Sequence, residues 1–391
     1  MDKQITRNLL QFKGFYLFSF FAVGSLTPLL SVYLSEVEKM NGYQIGTIMS
    51  AGPIAMMIMQ PIWGMVCDWS GKPAKILSLT TLLAGVLALG YLFIHDYQWL
   101  VIIAIILAVF QSAIIPVSDG ISLQYATRVK ANYGNLRLYG SLGFALAVFI
   151  MGRLAETTIG LSIIFYSFFI TLVISAYLAL RLPEEPQSMA KPNLIFGVKE
   201  LLSIKRFLVF LAITFLIFGP NLANNVYYGL FIEDRGGTYT GIGIAFLLAV
   251  LSEIPFMRAA GSWVKKIGLL PIVLIAAFSS LLRWALYYFE PSLNLVYFTS
   301  VMQGLSIGLF VPAGLQYLRK IVPVHIMVTA ITFYSAIGNG LGNWFSTFTA
   351  GIIMEKADIY TVYLFFAVLS LFGVILTLWL IWLERKINSN H

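Results

Sequence analysis

Charge is scarce in this sequence. Only 11% of its 391 residues are Asp, Glu, Lys or Arg, against about 25% in soluble domains. Cysteine is scarcer still: Cys67 stands alone, which excludes an internal disulfide and implies no redox chemistry. The three histidines, His95, His325 and His391, fall in loops or at the tail and make no metal constellation, so neither a metal nor a cofactor is expected. No phosphate-cradling Gly loop follows a strand, which counts against ATP-driven pumping by this chain. No nucleophile and base are paired within the apolar stretches, which counts against a membrane-embedded enzyme.

What the sequence has is apolar surface. Apolar residues make up 59% of it and the mean hydropathy is +0.86, so a soluble fold would expose more apolar area than water tolerates. Continuous runs, without dyad alternation, disfavour a membrane β-barrel. The runs fall at 11–34, 43–66, 74–94, 98–124, 136–155, 159–181, 207–231, 239–257, 268–288, 293–317, 325–352 and 360–383, each long enough for a spanning helix of about 20 residues. No small-residue cleavage site flanks any of them, and the first is expected to act as an uncleaved signal anchor. The stretch 182–206 carries three prolines and mixed charge and reads as a linker, with an interfacial helix expected over 195–204. Domains are therefore expected at 1–181 and 207–391.

The net charge of +8 has a topological explanation. With a cytoplasmic N-terminus, eighteen Lys and Arg, from Lys3 and Arg7 to Arg385 and Lys386, collect on one side, and only Lys39, Arg153, Arg235 and Lys356 on the other. Both termini are thus expected in the cytoplasm and the chain in a bacterial plasma membrane. Nucleic acid is not an expected partner, whereas anionic lipid is. Two spacings repeat. Gly64-x-x-x-Asp68-x-x-Gly71 after the second run matches Gly261-x-x-x-Lys265-x-x-Gly268 after the eighth, 197 residues on, and Gly152-x-x-x-Glu156 matches Gly351-x-x-x-Glu355 at a shift of 199. The fold class expected is an all-α membrane protein of twelve transmembrane helices in two parallel six-helix pseudo-repeats.

Gly64-x-x-x-Asp68-x-x-Gly71-Lys72-x-x-Lys75 resembles the loop 2–3 motif of the major facilitator superfamily, departing from it at Trp69, where a basic residue is common. Gly64 would permit close helix approach, Asp68 would meet a helix N-terminus or a basic partner, and Gly71 would permit the turn. These residues and Lys72 are the expected conformational gate. Pro116-Val-Ser-Asp119-Gly, followed by Tyr133-Gly-Asn-Leu-Arg137-Leu-Tyr-Gly140-Ser141-Leu-Gly143-Phe144, resembles the phenylpropionate permease group, related to the lactose permease and nucleoside:proton symporter branches. That resemblance implies that Asp119 and Arg137 hold solute, with Phe144 where the lactose permease has a sugar-stacking tryptophan. Glu253 in the eighth run and Arg283 in the ninth also match. Gln303 stands where relatives carry His, and Ser306 where the lactose permease carries an acid, so Glu253 is left as the main protonatable residue.

The residues make part of the same case unaided. An ion at bilayer depth costs about 2.5–3.5 kcal/mol on the most lenient scale, so Asp119, Arg137, Glu253 and Arg283 are expected to be paired or to face a polar cavity, either as a site or as structural ion pairs. The seventh run adds Asn221, Asn224, Asn225 and Tyr228 around Pro220, which would coordinate solute or bond between helices. The expected function is proton-coupled import of a small organic solute, such as an aromatic acid, nucleoside or sugar, by a monomer. Solute contacts are expected at Asp119, Arg137, Ser141, Phe144, Asn221, Asn224, Asn225, Tyr228 and Gln303, and proton coupling at Glu253 and Arg283. Proton-driven export is the alternative, disfavoured because 137–155 has glycines but no proline.

Overall fold

The computed structural model describes residues 3–183, 194–323 and 326–389. His325, His391 and linker residues 184–193 therefore lie outside the described residues. The helices run in order as α1 Lys3–Glu36, α2 Gly42–Ser70, α3 Pro73–Ala88, α4 Tyr97–Arg128, α5 Tyr133–Ala155, α6 Ile163–Ala179, α7 Leu194–Ser203, α8 Lys205–Asp234, α9 Tyr239–Ile267 and α10 Leu269–Tyr288. They continue as α11 Leu293–Ile321, α12 over 327–356 and α13 Ile359–Lys386. Eleven are single helices long and apolar enough to cross a membrane. The twelfth long segment, α12, is α-helical at both ends and wound as a π-helix over Ala336–Gly342; α11 carries a second π segment, Gly304–Gly308. The chain is an all-helical membrane protein, and the short α7 falls where the linker's charge pattern places a helix.

Local chemistry sets the ends. Asn41 and Gln44 form a reciprocal capping box on α2. Asp96 accepts from Gln98 and Trp99 N–H at the start of α4, and Asn132 from Gly134 N–H at the start of α5. Gly71 closes α2 at φ +62°, and its copy Gly268 turns the chain at φ +94° before α10.

The described residues divide into two units, Met1–Ala190 with Thr238–Leu247, and Lys191–Gly237 with Leu248–His391. In the first, α1 lies along α5 and α6, α2 along α4, and α3 against α4 and α6. In the second, α8 lies along α12 and α13, and α10 against α11 and α13, while Gly304 of α11 meets Ser252 and Phe256 of α9. Shifted by six spanning helices, these are the same pairings. Even the contacts recur. A Cβ on Gly143 of α5 would collide with the Leu17 carbonyl oxygen of α1, and one on Gly24 of α1 would stand 2.7 Å from that of Phe144. In the second unit Gly219 of α8 and Gly342 of α12 are pressed together in the same way, 2.6 Å from Gly219's missing Cβ to the Gly342 carbonyl oxygen. Backbone cannot yield as a side chain tip can, so Gly143→Ala should lower stability by about 1–3 kcal/mol. Thermal unfolding of the purified variant measures this, with Gly64→Ala as a control that should match or slightly exceed the parent, because nothing lies within 4 Å of that position.

Where Thr238–Leu247 joins the first unit, Glu156 accepts from Thr240 N–H at 2.9 Å, and Glu36 accepts from the Tyr239 hydroxyl. The Thr240 N–H holds the Glu156 carboxyl below its ordinary range.

Candidate functional site

In the first unit the site forms around Asp119 of α4. Tyr16 of α1 donates its hydroxyl to Asp119 Oδ1 at 2.6 Å and is itself within 2.6 Å of Ser122 Oγ, one turn on from Asp119. Arg137, in the first turn and a half of α5, brings Nη1 to 3.7 Å from the same carboxylate oxygen. The distance is that of an ion pair without a hydrogen bond, and Arg137 Nη1 has no other partner among the described residues. The guanidinium lies 4.5 Å from the centre of the Phe20 ring and 5.7 Å from that of Tyr16. Asp119 and Arg137 remain 31% and 35% exposed, so both can still be reached. Ser141 and Phe144, at steps of four and three from Arg137, are partly buried on α5. Tyr16 and Phe20 are the residues that sequence reading missed. Their spacing with Phe12 marks a helical stripe, but α1 is so rich in aromatics that the stripe does not stand out.

The second unit holds a buried arginine. Arg283 of α10 is 1% exposed. It donates Nη1 to Gln303 Oε1 at 2.6 Å and Nε to the Tyr287 hydroxyl at 3.1 Å. The rings of Tyr228, Trp284 and Tyr287 surround it with centroids at 4.9–5.4 Å, while Nη2 has no partner among the described residues. The direct Glu253–Arg283 ion pair that mutual neutralisation would require is not formed. Gln303 stands between them, bonded to Arg283 and interacting with the Glu253 carboxyl. Glu253 sits on α9 where the π segment of α11 crosses it, with its carbonyl oxygen 3.1 Å from the missing Cβ of Gly308.

The amides around Pro220 bond between helices. Asn221 donates to Ile217 O at 2.8 Å and Ser280 Oγ at 2.9 Å, and accepts from Ser306 Oγ at 3.2 Å. Asn224 accepts from the Tyr363 hydroxyl at 3.0 Å, and the Tyr228 hydroxyl is 2.6 Å from Ser300 Oγ. All three are buried, so their polar atoms satisfy the bundle. Asn225 is partly buried and its side chain forms no hydrogen bond among the described residues.

Two of the contacts expected of the gate motif are not formed among the described residues. Gly64 mediates no close approach, since the space beside it is open. Asp68 is exposed and meets no helix N-terminus or cation among the described residues; it lines a cavity of about 420 Å³ with Gln60, Cys67 and Gln124. Gly71 does make the expected turn. Lys72 precedes α3, with Pro73 at its first position.

A family model described as MFS_1 like family matches residues 9–365. The chain belongs to the MFS_1-like family. It is a membrane-spanning transporter of the major facilitator superfamily, related to the branch that its fourth and fifth helices resemble. This MFS transporter is 46% identical to the uncharacterized transporter YwbF of Bacillus subtilis (strain 168), over 99% of the chain and 97% of that protein. It is 44% identical to the maltose permease of Geobacillus stearothermophilus, over 96% and 95% respectively. Its fold is that of the nucleoside transporter NupG, at a TM-score of 0.84, 18% identity and coverage of 95% of this chain and 98% of that one.

Proposed function

We propose that this transporter imports a hydroxyl-rich solute, an oligosaccharide of the maltose type, in symport with protons and by alternating access of its two halves, 1–181 and 207–391. The carrying observation is the group at Asp119. A carboxylate accepts hydrogen bonds from hydroxyls, a guanidinium supplies parallel donors, and Arg137 Nη1, 3.7 Å from Asp119 Oδ1, makes no hydrogen bond among the described residues. The rings of Phe20 and Tyr16 lie against the guanidinium, and Ser141 and Phe144 extend the α5 face with a hydroxyl and an apolar ring. The likeness to a maltose permease supports a sugar over an aromatic acid or nucleoside.

Proton coupling is assigned to Glu253, with Gln303 linking it to Arg283. The excess of Lys and Arg in alternate loops supports cytoplasmic termini in a bacterial plasma membrane, and the transporter works as a monomer. The test is uptake of labelled maltose into proteoliposomes carrying an alkaline interior. Accumulation that collapses with a protonophore, and is competed by maltose analogues in preference to nucleosides or phenylpropionate, is the expected result. Protonophore-insensitive uptake would remove the coupling, and competition by nucleosides or aromatic acids alone would replace the substrate class.

A further inference from the structure

Two cavities of the second unit share one seam. The first, about 510 Å³, opens at the start of α10 and the end of α13, beside the end of α11. The second, about 560 Å³, lies further along α10 and α13 and is walled by apolar residues with Ser279. On α10 the lining runs through Leu270, Leu274, Phe278 and Leu282, and on α13 through Arg385, Ile381, Leu378 and Val374. Both cavities lie between α10 and α13, one after the other along the same pair of helices, and together they line one groove. From 270 to 282 it extends roughly 18 Å, comparable with the depth of one leaflet of a bilayer whose apolar core is about 30 Å thick.

The two ends differ in chemistry. At the mouth stand Lys320 and Arg385. The acid there, Glu384, is already occupied: it accepts from Tyr317 at 2.8 Å and Lys320 at 2.9 Å, with Arg206 at 3.8 Å. Arg385 is exposed and pairs with no carboxylate among the described residues. The mouth is therefore left with excess positive charge. Further in, Phe278, Leu282 and Leu378 are half exposed or more, with no charged side chain in the lining to attract a headgroup.

The geometry points to a binding site for an anionic phospholipid in this groove, its phosphate at Lys320 and Arg385 and one acyl chain along α10 and α13. A cationic mouth on the end of the helices that the charge distribution assigns to the cytoplasm, continued by an apolar channel of leaflet depth, matches both halves of such a lipid. A soluble phosphate would use the mouth alone, and a zwitterionic lipid would gain little from it.

Native mass spectrometry of the full-length transporter in detergent, titrated with phosphatidylglycerol, phosphatidylcholine or glycerol phosphate, tests this. Phosphatidylglycerol should bind at least about tenfold more tightly than phosphatidylcholine, and Arg385→Gln, a change on an exposed side chain, should remove about fivefold of that advantage. Leu282→Trp, which fills the apolar channel without touching the mouth, should weaken phosphatidylglycerol binding. Equal affinity for the two lipids, a preference untouched by Arg385→Gln, or unchanged binding in Leu282→Trp would each overturn the site. Glycerol phosphate binding as tightly as phosphatidylglycerol would replace it with a site for free phosphate.

Discussion

Glu253→Gln should abolish accumulation against a gradient while sparing solute binding and exchange. With one proton carried per solute, each pH unit across the membrane sustains about a tenfold concentration ratio, and in the variant that ratio should fall to one. Gln303 ties the Glu253 carboxyl to a fully buried arginine that has no carboxylate partner among the described residues, and the π segment of α11 presses on the Glu253 backbone. A carboxyl so placed takes or releases its proton according to how the arginine and α11 are disposed toward it, which is what coupling needs. Glutamine keeps the shape and the amide contact and loses only the titration. Uphill uptake unchanged in Glu253→Gln, measured in the same proteoliposomes that support exchange, would move the proton to another residue.

The second large effect is expected at Asp119 and Arg137. Removing one partner of a buried ion pair costs roughly 3–5 kcal/mol of stability, but this pair is 3.7 Å apart and each side chain is about one-third exposed, so solvent screens it and the structural penalty should be under about 1 kcal/mol. Asp119→Asn, Arg137→Gln and the double variant should therefore all fold with near-parental thermal stability. Solute binding should fall in each single variant by the value of a hydrogen bond to a charged group, about 1.5–3 kcal/mol or roughly 10- to 150-fold. The double variant should remain folded and fail to bind. If the singles unfold and the double recovers, the pair is structural. If the folded double binds normally, solute is held elsewhere, and Asn225 is the amide with no side-chain hydrogen bond among the described residues.

Helix number, the repeat and the intramembrane ions were legible because each follows from composition or from spacing along one helix. A run such as 98–124 cannot be other than a spanning helix in a chain this apolar, and Asp119 within it is costly enough to mark itself. Partners across helices were not legible. Tyr16 and Asp119 are 103 residues apart, and nothing in either run specifies that their faces meet. Arg283 posed the opposite problem: charge alone suggests Glu253 as its partner, yet Gln303 and three aromatic rings take that place. The amides beside Pro220 were equally suited to solute or to neighbouring helices, and their bonds to Ser280, Ser306 and Tyr363 could not be read from the sequence. Gly64 was legible as a small residue, but the space beside it depends on where other helices stand.

Both π segments among the described residues, Gly304–Gly308 and Ala336–Gly342, lie in the second half. The corresponding helices of the first half, Tyr97–Arg128 and Tyr133–Ala155, wind as unbroken α-helix. A π turn stores one extra residue with little gain in length and turns everything beyond it by about 100°. Two copies of an ancestral bundle can thus keep the same helix pairings and present different faces, and a helical wheel drawn straight through 293–321 assigns Tyr317 and Lys320 to the wrong side of Gln303.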